Sequence, residues 1–312
     1  MQKIKTVLYL FLSVLLFNSC KKGDGGYVSG DPIYNDNETV TASITGIVVN
    51  ENNVPILGAT VKSGTQTLTT DNYGMFRFQN ISISRNNCFI NVTKAGYFNG
   101  NRCFVTTAGR THNVRIKLLP KSNTGSFSGG AGGVVSLSTG GKVTFSGNAI
   151  VDASGNAYTG TVYVAMTWIN PVDADLGSIV QGDLRGINAA GKERVLENYG
   201  MLGVELSNGL GQAVKIASGK TAEISMPIPG ALQTTAPASI ALWYFDESIG
   251  RWKEEGIATK TGSNYVGNVA HFSFWTCDNS FPKATLCLHV VNPGNQPVNK
   301  WNRIILCGRW KL

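Results

Sequence analysis

The stretch "TGIVVNENNVPILGATV", residues 45–61, read with "TLTTDNYGMFRF", residues 67–78, decides the fold of this chain. In the first, an alternating apolar run ends at Val49, "NENNVP" supplies turn residues, and "GATV" starts a new short strand. In the second, "TDNYG" turns the chain again. Met75, Arg77 and Gln79 then alternate against Phe76 and Phe78. A period of two, broken by Asn, Asp, Gly and Pro, belongs to strands joined by tight reversals. Gly58 and Gly74 fall at two of those reversals and predict backbone at positive φ. Working outward, "CFINVTKAGYF", "RCFVTT" and "HNVRIKLL" extend the pattern to about seven strands over residues 43–120, which is β-sandwich spacing.

These segments resemble the carboxypeptidase regulatory-like domain, a small transthyretin-like β-sandwich. Gly46, Pro55, Gly58, Ala59 and Val61 match its opening hairpin. Thr70, Asp71, Gly74 and Phe76 match its threonine-aspartate-x-x-glycine turn, and "VTKAGYF" follows in order. The resemblance implies a fold and no catalytic group.

Composition carries the all-β reading to the rest of the chain. Charged residues are only 15% and glycines number 37, while Thr, Val, Ser, Gly and Asn recur between turns. A Gly/Ser-rich linker is expected over residues 121–133. A second, larger β-sandwich-type domain is expected over 134–281. The segments "QGDLRG", "YGMLGVEL", "LWYFDE", "GRWKEEG" and "YVGNVAHFSFWTCD" resemble an extracellular module of bacterial surface lipoproteins, cartilage intermediate layer proteins and astroprincin-type membrane proteins. Neither a ligand nor an activity is implied by that resemblance. At the C-terminus, "VVNPGNQPV" repeats "VVNENNVPI" displaced by 242 positions, so residues 282–312 read as the opening hairpin of a truncated third sandwich.

The N-terminus has two lysines, the apolar core "VLYLFLSVLLF", and Ser19 before Cys20, which together predict a signal peptide over residues 1–19. The run is too short for a membrane span, which needs about 20 apolar residues. A cysteine directly after the small residue resembles the lipobox of bacterial, Bacteroidota-type lipoproteins, and implies that Cys20 is lipidated and becomes the mature N-terminus. The segment "KKGDGGYVSGDPIYNDNETVTA" shows no period and reads as a tether, so residues 20–42 are expected to form the anchor and a spacer with a reach of about 25 Å.

The chemistry-bearing residues are few. His112, His271 and His289 lie in no zinc-hydrolase spacing, and no nucleophile elbow, P-loop or dinucleotide fingerprint occurs. His271, beside Ser273 and near Asp278, reads better as a structural histidine than as a catalytic one. Asp173, Asp175 and Asp183 lack the rhythm of a calcium loop, and Asp71 is accounted for by its turn. Neither metal nor cofactor is expected. Cys88 and Cys103 lie symmetrically about residues 95–96, which leaves open a disulfide or two buried thiols. Trp243, Tyr244 and Trp252, with Phe245, read first as core and second as ligand-facing aromatics for a sugar or peptide. The formal charge of +8 comes from scattered basic residues, which excludes a nucleic-acid patch.

Together these features predict a non-enzymatic lipoprotein of the outer membrane, its lipid bilayer contact made through Cys20, with the surface or periplasmic face left open. Its expected role is a structural or adhesion module contacting protein or glycan. The alternative is a carbohydrate-binding accessory of a glycan-utilisation system.

Overall fold

The computed structural model describes residues 34–283, so the leader, Cys20, and residues 284–312 with Cys287 and Cys307 lie outside the described part. The described residues belong to one compact unit, and the chain is all-β. No helix among them is long and apolar enough to cross a membrane.

Seven strands build the N-terminal sandwich: β1 (Thr39–Val49), β2 (Thr60–Ser63), β3 (Gln66–Thr69), β4 (Met75–Ser84), β5 (Cys88–Thr93), β6 (Gly100–Phe104) and β7 (Thr111–Lys117). One sheet has the order β4-β1-β7 and the other β3-β2-β5-β6. β1 is central, antiparallel to β4 and parallel to β7. Alternation turns Ala42, Ile44, Phe76, Phe78, Ile90, Val92 and Ile116 into the shared core. The turn expected at residues 70–74 forms through its side chains. Thr70 Oγ1 accepts from Ala59 N at 2.9 Å and donates to Ile56 O at 2.6 Å. Asp71 Oδ1 accepts from Tyr73 N at 2.9 Å and Met75 N at 2.8 Å. Gly74 has φ +70°, and a Cβ there would meet Val48 O at 2.4 Å, so no larger residue fits.

The remaining strands are β8 (Asn123–Ser128), β9 (Gly132–Ser136), β10 (Lys142–Ser146), β11 (Ile150–Val151), β12 (Thr161–Ile169), β13 (Arg185–Ile187), β14 (Glu193–Ser207), β15 (Lys215–Ile216), β16 (Ala222–Pro227), β17 (Ser239–Asp246), β18 (Arg251–Thr261), β19 (Asn264–Val269) and β20 (Phe274–Pro282). The pairings run from β12 through β8, β9, β10, β16, β19, β18, β17, β20 and β14, and return to β12. The ladder therefore closes on itself as a barrel. Val143, Phe145, Val164, Leu202, Ile224, Leu242 and Trp275 fill its interior. β13 lies outside this circuit, parallel to β18 and antiparallel to β14. A short helix, α1 (Leu176–Ile179), precedes it.

Two expected boundaries move. Residues 121–133 are not a free linker, because β8 pairs with β12 and begins the barrel. Phe127 in "SFS" alternates inward and stacks on Phe145 with ring centroids 4.1 Å apart. Of the segment expected as a tether over 20–42, residues 39–42 are already in β1 and residues 34–38 lie against the folded body as a strap, while residues 20–33 lie outside the described part. Tyr34 N donates to Gly191 O at 3.4 Å. The Ser84 hydroxyl bonds to Asp36, and Arg85 Nε pairs with Glu38 at 2.5 Å.

Candidate functional site at the seam between sandwich and barrel

β17 shows why the aromatic residues do not form a surface platform. Strand alternation sends Leu242 into the barrel core and sends Trp243 and Phe245 to the other face. That outer face is covered too. Ile179, Val180 and β13 close over part of it, and the N-terminal sandwich brings Phe89, Phe98 and Leu119 onto the rest. Phe98 meets Phe274 edge-on at 5.7 Å, and Phe89 meets Phe245 at 6.3 Å. Trp243 and Trp252 are both 0% exposed, and Trp252 Nε1 donates to Gln181 O at 3.1 Å. The ligand-facing reading of these two tryptophans is therefore corrected: they are buried in an apolar seam. Tyr244 is half-buried beside the His271 ring at 4.6 Å, with Lys253 Nζ 5.6 Å from its centroid.

Polar groups interlock around this apolar patch. Asn87 Nδ2 donates to Ile249 O at 2.7 Å, Asn101 Nδ2 to Gln181 Oε1 at 2.8 Å, and Cys103 Sγ to Gly250 O at 2.9 Å. The carbonyl of Asn86 sits in a fork of two guanidinium groups, accepting from Arg185 Nη1 at 2.9 Å and Arg251 Nη2 at 3.0 Å. These arginines are held by Asp183, at 2.5 Å from Arg185 and 3.5 Å from Arg251, and by Glu193 at 3.6 Å and 3.9 Å. Charges buried to this degree are tolerable only when paired in this way. The strap joins them, with the Tyr34 ring 5.5 Å from the Arg251 guanidinium carbon. Burial raises the Tyr34 hydroxyl to about 12.

Cys88 and Cys103 are free and buried. β5 and β6 pair in the register Cys88↔Phe104 and Phe89↔Cys103, one residue off the symmetry read from sequence. Directly opposed residues share a face, so the two thiols point to opposite faces of the sheet and form no disulfide. Cys88 faces the sandwich core and Cys103 the seam. Burial pushes the Cys88 thiol up to about 12, and the Cys103 and Cys277 thiols are raised by the same cause.

The remaining candidates are dispersed. His271 Nε2 lies 3.5 Å from Glu255, and Ser273 Oγ donates to Phe274 O at 3.0 Å. Asp278 is buried elsewhere, accepting from Asn198 Nδ2 at 2.9 Å. No hydrogen bond among the described residues joins these three. Asp175 pairs with Lys117, Asp173 Oδ1 accepts from Asp175 N at 2.7 Å, and Asp183 serves the arginines. Among the described residues no three His, Cys, Asp or Glu are grouped to hold a metal ion.

Above the seam lies a cavity of about 620 Å³, walled by the strap, by β2, the end of β4 and β5, and by residues 247–249 of the β17–β18 turn. Sequence reasoning missed it, because its walls come from segments far apart in the chain.

No family model matches this sequence. A segment of 106 residues is 30% identical to cartilage intermediate layer protein 2 of Mus musculus, covering 34% of this chain and 9% of that protein. The chain thus spans less than a tenth of the curated relative it matches. A Bacteroides fragilis protein of unknown function overlaps 78% of this chain and 99% of its own at TM-score 0.22 and 9% identity. The major pilin subunit BcpA of Bacillus cereus overlaps 83% and 97% at TM-score 0.22 and 11% identity. Similarity this shallow brings over neither an activity nor a partner.

Proposed function

We propose that this chain is a non-catalytic lipoprotein of the cell envelope, held at the outer membrane by acyl chains on Cys20. In this reading a carboxypeptidase regulatory-like sandwich, whose strands span residues 39–117, and a module like that of the cartilage intermediate layer and astroprincin-type proteins, whose strands span residues 123–282, act as one rigid structural or adhesion unit. The anchor rests on the position of Cys20 directly after the leader, and the observation that carries the rigid, non-catalytic unit is the seam. Aromatic packing and an arginine-held backbone carbonyl join the two bodies where a binding cleft between mobile domains would need freedom to move. The similarity to cartilage intermediate layer protein 2 supports an extracellular module.

Metabolic labelling of cells with a fatty-acid analogue tests the anchor. Wild type is expected to carry label in the outer-membrane fraction, and Cys20→Ala is expected to carry none. A mature chain released into the medium, unlabelled and starting at another residue, overturns the proposal.

A further inference from the structure

β14 and β20 bury a polar knot on the outer face of the barrel. Asn198 and Asp278 stand directly opposite each other in the ladder, and the register shifts just beyond them, between Asn198 and Met201. Asn198 Nδ2 donates to Asp278 Oδ1 at 2.9 Å and also to Thr276 Oγ1, and the Thr276 hydroxyl donates onward to Gly200 O at 3.2 Å. All three side chains are buried. Two oxygens are left without a partner, Asn198 Oδ1 and Asp278 Oδ2, one on each member of a pair already joined by a hydrogen bond. Buried acceptors without a donor are costly, and such orphans in a native structure need a cause. One proton answers for both, because a neutral carboxyl is a donor as well as an acceptor.

We propose that Asp278 is carried as the neutral acid and that its Oδ2–H donates to Asn198 Oδ1, closing an acid–amide ring that clasps β20 to β14 and opens when the proton leaves. The surroundings favour the neutral form. Burial raises the Asp278 carboxyl to about 7 against the lowering by its bonds with Asn198 and Thr276, and the Glu197 carboxylate of β14 adds to the rise. Its neighbour on β20 is the Cys277 thiol, and β17 sets Ala241 opposite Asp278 and Trp243 opposite Thr276. Among the elements that cover this face, residues 176–184 bring Asp183, already paired with Arg185 and Arg251. Arg194 lies farther along β14, opposite Pro282. Loss of the proton leaves a carboxylate with one buried oxygen unpaired beside an unpaired carboxamide oxygen, and the strand ends loosen to admit water. The consequence reaches the seam. From the clasp β14 runs back to Glu193, which pairs with Arg185, Arg251 and Lys283, so the clasp secures the strand that anchors the arginine fork. The inference does not depend on the envelope reading, because Cys20 has no part in the ring.

Infrared spectra of the mature full-length chain in detergent test the proton directly from about pH 6 to 8.5, a range in which ordinary carboxyls are ionised. Wild type is expected to show a carboxylic-acid carbonyl band of about one group per chain at pH 6 that fades as the pH passes about 7, and Asp278→Asn is expected to show none. Hydrogen exchange read by mass spectrometry tests the clasp. After correction for intrinsic rates, protection of residues 194–198 and 278–282 in wild type should fall about tenfold or more between pH 5 and 8. Asp278→Asn, whose carboxamide supplies a donor at every pH, should change less than about twofold. If circular dichroism shows that Asp278→Asn has lost the native fold, the wild-type band decides alone. A wild type without the acid band at pH 6, as an ionised carboxylate bridged by a buried water would give, overturns the proposal. So does a band that survives Asp278→Asn, or protection that falls in parallel in the two proteins.

Discussion

Phe98→Ala tests whether sandwich and barrel are one cooperative body. Phe98 belongs to the N-terminal sandwich by sequence, yet it is 2% exposed within a cluster otherwise built largely from barrel residues, including Trp243, Trp252 and Phe274. Removing a buried phenylalanine side chain costs about 3–5 kcal/mol, from lost transfer energy and the cavity left behind. At about 2–4 °C per kcal/mol for a chain of this size, the melting temperature should fall by about 6–20 °C. The assay exploits the placement of the six tryptophans: none precedes residue 168, so fluorescence is blind to the N-terminal sandwich itself. If the seam is shared, fluorescence, far-UV circular dichroism and calorimetry report one transition in the wild type, and the substitution lowers it equally by all three. If calorimetry resolves two transitions and Phe98→Ala lowers only the one that tryptophan does not see, the reasoning is wrong.

Asp278 is fully buried, and burial raises its carboxyl from 3.8 to about 7. The folded state therefore favours the protonated form, and stability should fall as pH rises from about 4 to 7, by a total on the order of 4 kcal/mol, and level off above. Asp278→Asn should flatten that slope and be the more stable protein at pH 8 in urea titrations; parallel pH profiles for the two proteins would refute the assignment. Gly250 has φ +63°, and a Cβ there would lie 2.6 Å from the Phe89 ring and 3.1 Å from Cys103 Sγ. Gly250→Ala should destabilise by about 2–5 kcal/mol from left-handed strain and overpacking together. Gly262→Ala, at φ +59° with nothing within 4 Å, should cost only the backbone part, about 1–2 kcal/mol. Maleimide mapping of the native protein by mass spectrometry should leave Cys88, Cys103 and Cys277 unmodified, all three reacting once it is denatured.

The N-terminal sandwich was legible nearly strand by strand, because its information is local: alternation along each strand and turn side chains that bond within a few residues, as Asp71 does to residues 73 and 75. The barrel's strands were legible, but its closure was not, since pairings such as β12 with β14 and β17 with β18 depend on register across the whole circuit. "SNTGSFSGGAGG" looked like a linker for want of side chains. Yet a Cβ on Gly133 would lie 2.6 Å from Phe127 Cβ, so that glycine marks close packing and not slack. Trp243 and Phe245 were ambiguous because alternation tells which residues share a face, not what covers it. The strap escaped for the same reason: its partners, Ser84, Arg85, Gly191 and Arg251, are remote in sequence.

The position of β1 has a mechanical consequence. This eleven-residue strand follows directly on the strap and lies between β4 and β7, bonded on both flanks. Tension applied at the N-terminus must first peel Tyr34 and Glu38 from their partners. Where the pull runs along the strand axis it then slides β1 against two ladders at once, so that many hydrogen bonds resist in shear together, as befits a strand with no free edge.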